Sequence, residues 1–201
     1  MSEPIKQPSA NPGVCPESIL KWAAELGFSA CGIAPIYSAS QNQAAARFSA
    51  WVDAGFCGEM NYMARGVAAR HQPESLLPGA RSVICVTLEY WPEMGFGGAS
   101  AALADPAAAY ISRYALGRDY HKTMRRRLKA LALRLEAVDE SVRWRVFADS
   151  APVSEVDYAC QGGLGWRGKN TLFLSRQGSL HFLGEIYTNL ALLSPIRNTV
   201  K

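Results

Sequence analysis

At 201 residues the chain is long enough for one α/β domain with a real core, and 49% hydrophobic against 19% charged residues suits a soluble globular protein. No apolar run reaches the roughly 20 residues of a membrane span. The opening MSEPIKQPSANPG lacks the apolar centre of a secretory signal, so 1–14 is expected to be a disordered leader on a cytoplasmic, monomeric protein. The net charge of +4 permits a polyanionic partner without demanding one. Five scattered cysteines (15, 31, 57, 85 and 160) form no C-x-x-C pair, which excludes a legible zinc or iron–sulfur site and implies reduced thiols.

In chain order, PESILKWAAEL predicts a helix over 16–26 with proline near its start and Gly27 as its stop. A short buried strand is expected over 28–34, and a second helix over 43–54 closed by Gly55. Residues 56–80 read as loop-rich, holding Tyr62, Met63, Arg65 and Arg70. SVICVTL, 82–88, is β-branched and uncharged and predicts a buried strand, with Cys31 and Cys85 as core packing. The Gly-, Ala- and Pro-rich stretch 89–109 reads as a long loop.

The clearest helix is 119–138, where Met124, Leu128, Leu131 and Leu135 form one apolar stripe. Its other faces carry Lys122, Arg125, Arg126, Arg127, Lys129 and Arg134; such a run is either a solvated face or a phosphate-contacting one. A strand is expected over 143–148, then a polar corner at Asp149-Ser150. A short helix follows, with Pro152 near its first turn and Gly162 and Gly163 at its end. Strand-like 171–175 and 180–186 are read as a hairpin, and the whole as an α/β or α+β domain without repeats.

Gly163, Gly165 and Gly168 satisfy G-x-G-x-x-G, and Gly163-x4-Gly168-Lys169 resembles a P-loop. Both motifs need a helix after the turn, and here the expected order is helix, turn, strand. Asn170 also stands where a P-loop carries Ser or Thr. What remains is a turn whose glycines allow positive φ and close backbone approach, serving structure alone or a pocket shared with Asp149.

DSAPVSEVDYACQGGLGWRGKN (149–170), GSLHFLGEI (178–186), RYALGRDYH (113–121) and LLPGARSV (76–83) together resemble the epoxyqueuosine reductases, cobalamin-dependent tRNA-modifying enzymes. The resemblance implies one nitroreductase-like cobalamin-binding catalytic domain over 15–201, with helices packed on a mixed sheet. In that family a ferredoxin-like domain with 4Fe-4S clusters would begin about where this chain stops; the sequence holds none of its cysteines. The implied reaction is reduction of epoxyqueuosine to queuosine at the wobble position of tRNA, the last step of queuosine biosynthesis, with electrons from an external donor.

By the same resemblance Asp149 is the proton donor. The cofactor pocket would draw on Arg65, Arg113, Tyr114, Tyr120, His121, Ser150, Trp166, Gly168, Lys169 and Asn170. The tRNA would meet Lys122, Arg125, Arg126 and Lys129; no metal ligand is assigned, and the D-x-H-x-x-G cobalamin motif is absent. From the residues alone, Asp149 is equally a helix N-cap, and a general acid there would need its pKa raised by burial. His121 alone is as readily a structural histidine. Two other functions stay open: a cobalamin- or tRNA-binding module without turnover, and a flavin-dependent nitroreductase-like reductase.

Overall fold

The computed structural model describes residues 14–90, 95–107, 109–149 and 151–192. Helices α1 (Pro16–Glu25), α2 (Ala39–Asp53), α3 (Tyr62–Arg65), α4 (Val67–His71), α5 (Gly95–Ala104), α6 (Tyr120–Val138) and α7 (Glu155–Gln161) alternate with six strands. The strands are β1 (Ala30–Pro35), β2 (Ser82–Glu89), β3 (Trp144–Phe147), β4 (Trp166–Arg167), β5 (Phe173–Leu174) and β6 (His181–Thr188). No described helix is long and apolar enough to cross a membrane.

The main sheet runs β1-β2-β6-β3, and each neighbouring pair is antiparallel, so the expected mixed sheet is corrected to an antiparallel one. Both central strands are covered on both faces, which is why SVICVTL reads as unbroken apolar sequence. Ile84, Val86 and Ile186 face α1 and α6 through Ile19, Met124, Leu128, Leu131 and Leu135. Val83, Cys85 and Tyr187 face the other way, packing with Val153 and Tyr158 at α7.

Two glycines set the spacing of these layers. A Cβ on Gly184 would stand 3.0 Å from Met124 Sδ and Leu128 Cδ1, so α6 lies tight against β6. A Cβ on Gly32 would stand 2.2 Å from the Gly162 carbonyl oxygen, a backbone contact locking the end of α7 onto β1. The N-terminus of α6 and the loop before α7 are thereby brought to the same end of the sheet.

Several sequence expectations are revised. The stretch expected as a loop over 89–109 contains α5, where GFGGASAALA holds enough alanine to sustain a helix despite its glycines. The 171–175 and 180–186 segments do not pair as a hairpin. Both edges of β6 are already taken by β2 and β3, so β5 pairs with β4 instead, and Ser175 meets Gly178 only in the connecting turn. Pro152 precedes α7 rather than entering it, because the N-cap is Ser154. Loop-rich 56–80 carries the single-turn helices α3 and α4. Of the expected leader 1–14, residues 1–13 lie outside the described residues, as does Ser150, while Val14 is buried in the core.

Candidate active site

Asp119 caps α6, its Oδ1 accepting the His121 backbone N–H at 2.9 Å, and the same oxygen lies 3.1 Å from His121 Nδ1. His121 Nε2 is 2.9 Å from Asp149 Oδ2, and the Tyr120 hydroxyl donates to that oxygen at 2.7 Å. Consecutive residues at a helix start thus converge on one carboxylate carried by the β3–α7 loop. The imidazole is clamped between two carboxylates, which favours the form with both nitrogens donating. The hydrogen bond to Asp149 raises the His121 pKa above its ordinary value; burial opposes it, and the hydrogen bond to Asp119 adds to the rise.

Asp149 itself responds in the opposite direction. Hydrogen bonds from Tyr120 and then His121 hold its carboxyl below the usual range, and 59% of its side chain is exposed. It caps no helix, since α7 begins six residues later. The raised pKa that a general acid here would need is not what these contacts give: they favour the ionised form of Asp149 and the protonated form of His121.

Asp149 sits on the rim of a cavity of about 310 Å³ lined by Tyr90, Tyr120, Phe182, His181 and Thr171 among others. The Phe182 ring stacks on Tyr120 at 3.9 Å and 6° and on Tyr90 at 4.4 Å, giving the cavity an aromatic wall. His181 Nε2 meets Ser175 Oγ at 2.9 Å, while its buried Nδ1 has no hydrogen-bond partner. Burial lowers the His181 pKa, keeping the ring neutral.

A larger cavity of about 630 Å³ adjoins it, lined by Arg47, Phe48, Trp51, Arg70 and Arg167. The Arg70 guanidinium lies over the Phe48 ring at 4.1 Å. Glu155, at the first turn of α7, lines both cavities, and its Oε1 accepts the Asp149 backbone N–H at 2.7 Å. Burial pushes its carboxyl up to about 7, opposed by that hydrogen bond and by the charges of Arg70 and His121. Deeper still, Glu185 on β6 is fully buried with neither oxygen bonded, and desolvation raises it well above the carboxylate range.

The other residues singled out in the sequence are placed around this centre. Tyr114 is 54% exposed on a 3-10 turn beside half-buried Arg113. Trp166 and Gly168 belong to the β4–β5 turn; a Cβ on Gly168 would stand 2.6 Å from Asn170 Oδ1, and that oxygen accepts the Leu172 N–H at 3.2 Å. Those contacts satisfy the turn itself. Lys169, Asn170 and Arg65 are exposed and line neither cavity. Lys122, Arg125, Arg126 and Lys129 are exposed along α6, whereas Arg127 donates to the Gly27 carbonyl at 2.8 Å and Arg134 pairs with Glu25.

Asp119, Glu155, Glu185 and Phe182 were not singled out from sequence. Glu185 had a signal: a lone acid in an otherwise uncharged strand, FLGEIYT. Glu155 had none, because an acid in a helix's first turn is ordinarily a solvated dipole partner.

The family model described as epoxyqueuosine reductase QueG, DUF1730, matches residues 70–150. The epoxyqueuosine reductase of Burkholderia pseudomallei is 46% identical over 189 residues, covering 87% of this chain and 46% of that protein. A solved epoxyqueuosine reductase with an epoxyqueuosine-modified tRNA-Tyr stem loop superposes with a TM-score of 0.72 at 20% identity, covering 90% of this chain and 47% of that one. A reductive dehalogenase structure associated with B12-dependent dehalogenation aligns with a TM-score of 0.50 at 14% identity, covering 98% of this chain and 22% of that one. The chain spans about half the length of the curated relatives it matches, and over most of its own length its sequence is similar to the epoxyqueuosine reductases.

Proposed function

We propose that this chain is the nitroreductase-like, cobalamin-binding catalytic portion of a cytoplasmic epoxyqueuosine reductase, acting on tRNA with electrons from an external donor. The observation that carries the reading is the Asp119–His121–Asp149 chain ending at the rim of an aromatic-walled cavity. Converting an epoxide to an alkene releases the oxygen as water and consumes electrons and protons; no side chain here is an electron source, and reduced cobalamin supplies that chemistry when bound. What the chain itself supplies is position, an apolar wall and a proton.

The donor set suits such a group. Tyr90, Phe182 and Tyr120 offer flat apolar surface, and the buried, unpartnered His181 Nδ1 offers a polar anchor at the edge. A cavity of about 310 Å³ holds only part of a ligand that size, so residues beyond its lining, for which Arg113, Tyr114, Trp166 and Lys169 are proposed, would have to hold the rest. Asp149, exposed at the rim, would face the substrate, and His121 would recharge it with a proton. The test is titration of the purified chain with cobalamin, followed by visible absorption. A saturable spectral change that weakens in Phe182→Ala is expected; no change at any ratio overturns the assignment.

A further inference from the structure

We propose that Glu155 is the positioning residue for Asp149: its carboxylate accepts the Asp149 backbone N–H and holds that residue in the left-handed conformation from which its side chain reaches Tyr120 and His121. Among described non-glycine residues only Asp149, at φ 63°, and Thr171, at φ 69°, adopt such a conformation. It is one that L side chains resist unless local contacts hold them there. For Asp149 the contact is Glu155 Oε1, 2.7 Å from its nitrogen. The grip is anchored, because α7 is fixed to the sheet by buried Tyr158, whose hydroxyl donates to the Ile36 carbonyl at 3.0 Å, and by the Gly162–Gly32 contact.

The acceptor is also ionisable where the protein works. The groups facing Glu155 are Asp149 on its loop, His121 on α6, Arg70 on α4 and Glu185 on β6. Arg70 and His121 favour its charge, Asp149 opposes it, and burial outweighs them all to bring the carboxyl to about 7. Glu185 lies deeper, and desolvation and then the charge of Glu155 raise it well above the carboxylate range. A carboxylate holds an N–H more strongly than a carboxylic acid does. The hold on Asp149 is therefore full above that pH and slackens as pH falls through it. The purpose of the hold rests on the reading of Asp149 as the proton donor; the hold itself does not.

The experiment follows the amide proton of residue 149 in the nitrogen-15-labelled chain from about pH 5 to about pH 9, a range bracketing the raised carboxyl. An inflection near pH 7 is expected in the parent and is lost in Glu155→Gln, whose carboxamide oxygen still accepts the N–H, while any step from His121 is common to both. Hydrogen exchange at that amide should quicken roughly 10–100-fold in Glu155→Ala and less in Glu155→Gln. A parent amide that does not titrate, or a titration unchanged in Glu155→Gln, overturns the proposal. So does parental exchange in Glu155→Ala, and should that variant not fold, the Glu155→Gln titration decides alone. Asp149→Asn keeps the N–H, so its inflection should persist, moved to lower pH by loss of the neighbouring negative charge. Its turnover separately tests the catalytic reading, so the two ideas fail by different measurements.

Discussion

The two faces of the main sheet are built from the same strands and differ in kind. Towards α1 and α6, Ile84, Val86 and Ile186 pack in an apolar cluster, and the buried polar residues beside them, Ser82 and Thr188, are both hydrogen-bonded. Towards α7 the alternate residues include wholly buried Glu185 beside Tyr187 and Tyr158, and both cavities open near that helix. One face is packed for stability; the other carries buried polar groups that cost stability and border the site. A domain that had to serve only as a scaffold would have no use for Glu185 there.

The largest expected effect that sharpens this division is kinetic. Asp149→Asn should slow turnover of epoxyqueuosine-bearing tRNA by about 10²–10⁴-fold under a strong chemical reductant, with thermal stability close to the parent. The residue caps no helix and is exposed, so the fold has little to lose. Parental turnover in a stable variant would remove Asp149 from the chemistry. The opposite pattern is expected from the other face: Leu128→Ala, at a fully buried position against Gly184, should cost about 2–5 kcal/mol in urea denaturation. A stability loss below that range would mean α6 resettles on β6.

Next in size is a pH effect. Glu185 has its pKa raised by the fold, so the native state holds a proton that the unfolded chain releases. Its contribution is whole below the unfolded carboxyl pKa and is lost as pH rises towards the folded one, at up to about 1.4 kcal/mol per pH unit. Stability should therefore fall as pH rises above the unfolded carboxyl range, with Glu155 adding to the slope up to about 7. Glu185→Gln should flatten that slope in denaturation at several pH values. An unchanged slope would place the titrating group elsewhere.

A smaller shift is expected at His121. Its pKa is raised, so the proton it holds for Asp149 is present at low pH and lost as pH climbs through the folded value. Turnover should have an alkaline limb there. Asp119→Asn, which caps α6 about as well, should move that limb to lower pH by removing one of the carboxylates that favour the imidazolium. A limb that does not move would assign it to another group.

Periodicity and apolar runs exposed the core on both faces: the Met124–Leu128–Leu131–Leu135 stripe and the β2 run are buried, and Cys31 and Cys85 are core packing. The strand partners were not legible, because whether 171–175 pairs with 180–186 depends on β2 and β3 competing for the same edges. The site was half legible. Asp149, Tyr120 and His121 could be named from blocks far apart in sequence and do converge. Glu155 and Asp119 could not, since their roles depend on a backbone N–H and a ring orientation that exist only once α6 and α7 are docked.

The smallest expected effect decides what the exposed side of α6 is for. Lys122, Arg125, Arg126 and Lys129 line the helix that carries His121 at its start, while Arg127 and Arg134 are committed to Gly27 and Glu25. A surface that pairs phosphates releases counterions, and each such pairing steepens the logarithmic salt dependence of affinity by about 0.7–0.9. Replacing Arg125, Arg126 and Lys129 with alanine should flatten the slope for tRNA binding, by about 2–3 if all of them reach phosphates. Arg127→Ala is the matched control. It removes one charge from the same helix, but its loss is felt where α6 meets the end of α1, so it should lower stability and leave the slope near the parent's. If the triple variant also keeps the parent's slope, the exposed cations pair no phosphates, and the face is a solvated one.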